Sequence, residues 1–287
     1  MRVLCRPRIW RFDRRALTEL IAVALLMLSA AAPAQDEVPF ITTPDSVTLA
    51  MLQLAEVGPA DHVVDLGSGD GRIVITAARQ FGASGLGVEI VPDLVLASRR
   101  HAQAAGVHER VSFLTQDLFT TGLTRATVVT MYLLPEVNLQ LRPRLLALAP
   151  GTRIVSHDWD LGDWAPDRTL TLDVPDKAIG RDKRSRVHLW RVPAAVHGVW
   201  CGPSGTRLTV TQRFQQFSAA LERPGEPAPL VVFDGRISGR ALSATLPSGA
   251  ILQWQAEADG LRLQQATGGA AGYAGRLFTP ARDGRCD

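Results

Sequence analysis

Val63-Val64-Asp65-Leu66-Gly67-Ser68-Gly69-Asp70-Gly71-Arg72-Ile73-Val74-Ile75 sets the end of an apolar strand, three glycines at alternate positions and the start of a helix side by side. Glycine lets the chain turn tightly and approach a ligand closely. The new helix offers free N–H groups and the positive end of its dipole to a carboxylate or phosphate. A dinucleotide-binding turn needs G-x-G-x-x-G. Here the third glycine arrives one residue early, as Gly67-x-Gly69-x-Gly71, and Asp65 precedes the loop. The spacing argues against a nicotinamide cofactor. An acid ahead of the loop suits a ligand bearing an ammonium group and the loop amides suit its carboxylate, which together describe the amino-acid end of S-adenosylmethionine.

Outward from the loop, apolar runs recur at 62–66, 85–88, 111–114, 127–133 and 152–156, separated by helix-like segments, and a leading helix is expected over 45–57 after Pro44. Strands alternating with helices of this length describe a parallel sheet covered on both faces. Runs at 170–174 and 187–192 around the polar loop 176–186 predict a hairpin that closes the sheet. The second run ends Gly87-Val88-Glu89, where a carboxylate at a strand tip can accept both hydroxyls of a ribose. The third ends Gln116-Asp117-Leu118, an acceptor and an apolar side chain suited to an adenine amino group and ring face. The other reading of Glu89 and Asp117 is as helix-initiating or solvated acids.

These residues resemble the class I S-adenosylmethionine-dependent methyltransferases over about residues 38–192. Asp65, Leu66, Gly67, Ser68, Gly69, Asp70 and Gly71 match their first motif, and Glu89 and Asp117 with Leu118 stand at the second and third. The resemblance implies a Rossmann-like seven-stranded methyltransferase sheet with helices on both faces and S-adenosyl-L-methionine as cofactor. With Phe40-Ile41-Thr42-Thr43-Pro44 ahead of the leading helix, the chain is more narrowly similar to the small lysine methyltransferases of the ATP synthase c-subunit type.

The fourth run ends Met131-Tyr132-Leu133-Leu134-Pro135-Glu136-Val137-Asn138. Enzymes that methylate amino groups of bases would show Asn-Pro-Pro-Tyr there, so the acceptor stays open between a protein lysine and a small molecule. Tyr132, Glu136 and Asn138 are candidate walls of the acceptor pocket, with packing or helix capping as the other reading. Ser156-His157-Asp158-Trp159-Asp160 ends the fifth run. His157 or Asp158 could take a proton from an ammonium acceptor, or the segment is a structural turn. No metal site is expected, because no second His or Cys lies at ligand spacing. The hairpin loop carries Lys177, Arg181, Lys183, Arg184 and Arg186 against Asp176 and Asp182, and is expected at the ligand end of the sheet.

The whole chain of 287 residues has a formal net charge of +3. The excess sits at the start, where six arginines precede an apolar run at 20–28 and an Ala32-Pro33-Ala34 ending, the three parts of a signal peptide over 1–34. Without it the chain has 25 basic and 26 acidic residues, which argues against nucleic acid as a partner. The expected location is exported, periplasmic or envelope-associated, or cytoplasmic if the segment is unused. Membrane contact is expected only through that segment if uncleaved, and nothing sets an oligomeric state. Export makes cofactor supply a difficulty, so the rival is a non-catalytic cofactor-binding or envelope assembly protein that keeps the fold.

After the methyltransferase domain at 35–195, short β-like runs at 208–212, 230–233, 241–246, 251–254 and 261–265 predict a small all-β sandwich or barrel over 196–287. Gly198-Val199-Trp200 resembles the opening of lipocalin-like barrels, and Trp200 and Trp254 are expected as core anchors. Cys201 and Cys286 bracket the segment and are expected to pair in an oxidising compartment.

Overall fold

Strand β1 (His62–Leu66) lies at the centre of the sheet because its residues are apolar on both faces, with Val63 and Val64 at most 1% exposed on opposite sides. The structure is a computed structural model and describes residues 41–178 and 182–286; the expected signal peptide over 1–34 lies outside them. The neighbours of β1 are β2 (Ser84–Glu89) and β4 (Val128–Met131), both parallel to it. With β3 (Val111–Thr115), β5 (Arg153–His157), β6 (Arg168–Asp173) and β7 (Arg184–Arg191) they form a seven-stranded sheet in the order β3-β2-β1-β4-β5-β7-β6. β7 alone runs antiparallel, against β5 and β6. The sheet is therefore mixed, and its order reverses between β1 and β4, the place where open α/β sheets bind ligands.

Helix α1 (Asp45–Leu54) covers one face, where Val47, Met51 and Leu52 pack with Val63, Val128 and Val155. On the other face, α4 (Pro135–Leu146) packs Leu141 and Leu145 with Val64, Met131, Ile154 and Trp190. Between them in sequence, α2 (Arg72–Phe81) turns Ile73 and Ala77 toward the α1 cluster. It turns Val74 and Ala78 toward α3 (Pro92–Ala104) and Phe113. Each fully buried aliphatic side chain in these clusters is worth roughly 1.5–3 kcal/mol over leaving it in water. The expected fourth strand at 127–133 stops at Met131, because Pro135 starts α4 and Tyr132 to Leu134 leave the sheet toward the ligand end.

The C-terminal residues form a closed antiparallel barrel of eight strands. They are β8 (Gly198–Cys201), β9 (Arg207–Arg213), β10 (Gln216–Glu222), β11 (Val231–Ser238), β12 (Ala241–Thr245), β13 (Ile251–Ala256), β14 (Leu261–Ala266) and β15 (Leu277–Pro280). The sandwich alternative is thereby excluded, since β15 pairs with β8 and closes the ring. Three strands lie outside the expected runs: β8, β10 and β15. Alternate side chains fill the interior, among them Leu208, Val210, Phe217, Leu221, Leu242 and Trp254, the last with its ring 4.9 Å from that of Phe278. Side chains just fill a barrel of this strand number. Cys201 and Cys286 are joined, with Cα atoms 5.3 Å apart, as expected from the sequence. The β9–β10 turn carries Phe214, stacked on Trp164 of the sheet region at 6.0 Å, and Gln215, whose Nε2 donates to the Ala165 carbonyl. Among the described residues no helix is long and apolar enough to cross a membrane.

Candidate active site

The glycine loop closes on itself through the strand tips. Gly67, Gly69 and Gly71 all have left-handed φ, at 75°, 52° and 82°, which L side chains rarely adopt. The Gly67 and Ser68 amides both donate to the Val88 carbonyl at 2.9 Å, fastening the loop to the end of β2. Gly87 is needed below it, because a Cβ there would stand 2.5 Å from the Phe113 ring and 2.7 Å from the Ser68 hydroxyl. Glu89 at the β2 tip accepts from the Gly69 amide at 3.0 Å, and its other oxygen accepts from the Ile90 and Val91 amides. Ser98 on α3 donates to the Gly69 carbonyl at 2.9 Å.

Asp65 is buried at the end of β1, with Thr130 Oγ1 donating to it at 2.7 Å. Burial, reinforced by the nearby negative charges of Glu89 and Asp70, pushes its carboxyl up to about 7 against the opposing Thr130 bond. A cation beside it would recover much of that cost. The buried Ser68 hydroxyl has no hydrogen-bond partner among the described residues. No side chain caps α2 at Gly71. An orphaned hydroxyl, an uncapped helix start and a buried acid in want of a cation fit the amino-acid end of S-adenosylmethionine. When bound, that group supplies an electrophilic methyl on a sulfonium.

Two expected cofactor contacts stand differently. Asp70 is turned away into a double hydrogen bond with Arg72, whose Nη1 also donates to the Thr43 carbonyl. It clamps the loop to the residue ahead of α1, because an arginine two positions on competes for its carboxylate. Asp117 is exposed at the end of β3, with one oxygen accepting from the Phe119 amide at 2.8 Å and the other directed to no partner among the described residues. Leu118 is half-buried against the α4 cluster. Beside them Ile90 is 68% exposed, an apolar surface at the β2 tip that the sequence reading missed although it follows Glu89 directly.

On the other side of the switch point, Tyr132 lies on His157 with ring centroids 4.0 Å apart. Burial and the charge of Asp158 raise the Tyr132 hydroxyl above the usual phenol range. His157 is 1% exposed, and its ring nitrogens meet Thr43 Oγ1 at 3.3 Å and Ser185 Oγ at 3.0 Å. Burial lowers its pKa to about 4, and Lys177 adds to the effect. With both nitrogens committed, His157 supports Tyr132 and the Thr43 segment; it does not present a free base to an acceptor. Asn138 is also withdrawn: it is fully buried, and its Nδ2 reaches Ser156 Oγ and the Trp159 and Asp160 carbonyls, each at 3.3 Å. It fixes the turn after β5, because the α4 face that carries it is the one packed on the sheet. Glu136 is exposed in the first turn of α4.

Asp158 has a left-handed φ of 63°, held by its amide donating to the Arg186 carbonyl at 2.7 Å and by Arg186 N donating to Oδ1 at 3.0 Å. Its Oδ2 pairs with Lys177 Nζ at 2.7 Å. The hairpin loop thus reaches the ligand end, as its place after a strand parallel to the others predicts. Arg181 lies outside the described residues.

Residues 65–168 match the model of the ANTKMT methyltransferase domain. A protein-lysine N-methyltransferase of Saccharolobus islandicus is 41% identical over 138 residues, which cover 47% of this chain and 86% of that protein. The chain belongs to this methyltransferase family. A Mus musculus lysine N-methyltransferase of the ATP synthase c-subunit is 39% identical over 108 residues, covering 37% of this chain and 43% of the mouse protein. A solved RNA methyltransferase from Salinibacter ruber, in complex with S-adenosyl-L-homocysteine, is 50% identical at a TM-score of 0.49 and covers 54% of this chain and 96% of that one. As a member of the family, the chain is an S-adenosylmethionine-dependent methyltransferase, and the non-catalytic alternative gives way to the enzyme.

Proposed function

We propose that this methyltransferase transfers the methyl group to the ε-amino group of a protein lysine. The observation that carries the reading is the 41% identity to a protein-lysine N-methyltransferase spanned over 86% of its length. The site supports it: the acceptor half holds a carboxylate, Asp158, and an aromatic ring, Tyr132, the groups that receive an alkylammonium. Asp65, the loop from Gly67 to Gly71, Glu89, Asp117 and Leu118 are read as the cofactor half. Tyr132 and Asp158 are read as the acceptor half, where transfer needs an in-line neutral amine in a dry pocket.

The same reading takes 35–195 as the methyltransferase domain and 196–287 as an all-β module, supported by the break between β7 and β8. It takes the protein as exported, supported by the joined cysteines, which suit an oxidising compartment.

The experiment is to incubate the purified chain with donor tritiated on its methyl group and a lysate of the source cells, then hydrolyse the macromolecules to their monomers. Label in Nε-methyl-lysine is expected. Label recovered in RNA nucleosides or in small molecules, with none in lysine, overturns the reading.

A further inference from the structure

We propose that Lys177 is an internal occupant of the acceptor subsite, its ammonium held by Asp158 where the ammonium of a substrate lysine is received. The inference rests on the reading of a lysine acceptor and adds a competitor that the chain itself supplies.

The sheet divides its ligand end at the switch between β1 and β4. The tips of β1, β2 and β3 carry the glycine loop, Glu89 and Asp117, so the acceptor falls to the tips of β4 and β5 and to the β6–β7 connection. At those tips stand Tyr132, Asp158 and Lys177, with Trp159, 44% exposed, next to Asp158 in the chain. Leu133 connects the two halves, since a Cβ on Gly67 would meet its Cδ2 at 2.9 Å.

Asp158 is built to present one oxygen. Its backbone is held in an unfavourable conformation by two hydrogen bonds to Arg186, one of which consumes Oδ1. Oδ2 is left for a cation, and His157 at 3.6 Å is a neutral ring. Lys177 supplies that cation at 2.7 Å and also donates to the Arg184 carbonyl at 2.7 Å. Its side chain is only 14% exposed, although it belongs to a surface hairpin. Ordering a long side chain this far costs entropy that a solvated loop lysine would keep. A carboxylate with a free oxygen, near an aromatic ring and at the acceptor end, is thus already filled by the functional group the enzyme is read to seek.

A tethered amine competes at an effective concentration in the millimolar range or above, so an external lysine binds only by displacing it. Removing the tethered ammonium, in Lys177→Met, is expected to tighten binding of n-butylamine, the side-chain mimic, about tenfold in ligand-observed NMR. Adding Asp158→Asn to that variant is expected to abolish the gain. The KM for poly-L-lysine with S-adenosylmethionine is expected to fall in Lys177→Met by a similar factor.

Lys177→Gln repeats the test should the methionine variant lose its near-UV circular dichroism, and Lys177→Arg, which keeps a cation against Asp158, is expected to behave as wild type. Equal n-butylamine affinity in wild type and in the folded neutral variants overturns the proposal, as does a gain that survives Asp158→Asn. If the amine gain appears but no variant methylates poly-L-lysine or any protein, the lysine-acceptor reading fails while the amine-binding subsite stands.

Discussion

The Gly69 amide donates to Glu89 Oε2 across 3.0 Å, joining the middle of the glycine loop to the tip of the next strand. The carboxylate read as the ribose acceptor therefore also sets the loop read as the holder of the amino-acid end, and Glu89 and the loop are one hydrogen-bonded unit.

Glu89→Ala removes both functions. It leaves the Gly69 amide unpaired in a buried place and withdraws the ribose acceptor, so S-adenosylhomocysteine affinity is expected to fall by about 1.5–3 kcal/mol, as for a lost hydrogen bond to a charged group. Calorimetry checks this, and an affinity unchanged within error would remove Glu89 from the site.

Asp65 gives a pH dependence with a definite sign. Its folded pKa of about 7 lies above the usual carboxylate value, so the free protein holds the proton more tightly than the unfolded chain. Its contribution to stability therefore falls as pH rises from about 4 to about 7 and is level above that. A ligand ammonium favours the ionised form, so binding of S-adenosylhomocysteine should strengthen up to about tenfold per pH unit between pH 5 and 7, then flatten. Asp65→Asn should bind more weakly with no such slope; a wild-type affinity flat across pH 5 to 7 would refute the assignment.

His157 acts in the opposite sense. Its pKa is lowered to about 4, so the native state resists protonation and the stability it contributes is complete above about 6.5 and lost as pH falls toward 4. At pH 5 the loss amounts to about 2 kcal/mol. His62 and His188 are also lowered by burial, so the difference in urea unfolding between wild type and His157→Gln isolates the residue. Parallel pH profiles for the two proteins would show that His157 does not carry the shift.

The bridge between Cys201 and Cys286 spans a sequence separation of 85 and ties β8 to the end of the chain after β15. By the chain-entropy account a loop of this length contributes about 4–5 kcal/mol, less any native strain. Replacing both cysteines by serine should lower the barrel's melting temperature; an unchanged melting curve means the packed interior around Trp254 and Phe278 holds the barrel alone.

What could be read in advance followed from local chemistry. Asp65 to Gly71 announces a strand, a turn and a helix in consecutive residues, and the two later acids fall at strand tips because the strand–helix spacing is regular. Whether a tip residue faces ligand or core is another matter, since it depends on which side the chain turns after the strand. Asn138 and His157 lie one helix or one strand from the pocket, yet packing turns them inward, and Asp70 is taken by Arg72. The barrel strands β8 and β15 have four residues each, β8 abuts Gly202 and β15 ends in Pro280, so their pairing is fixed by ring closure and not by periodicity. The Lys177–Asp158 contact joins residues far apart in sequence, and only charge and an approximate loop position hinted at it.

Whether the loop from Gly67 to Gly71 binds S-adenosylmethionine is decided by a calorimetric titration of the donor into wild type and Gly69→Arg. Gly69 has a left-handed φ of 52°, its amide is spent on Glu89 and its carbonyl on Ser98, so an arginine side chain there must enter the site or break the loop. Saturable one-site binding in wild type and none in the variant, with both proteins folded by far-UV circular dichroism, is the expected result; equal binding in the two would contradict it.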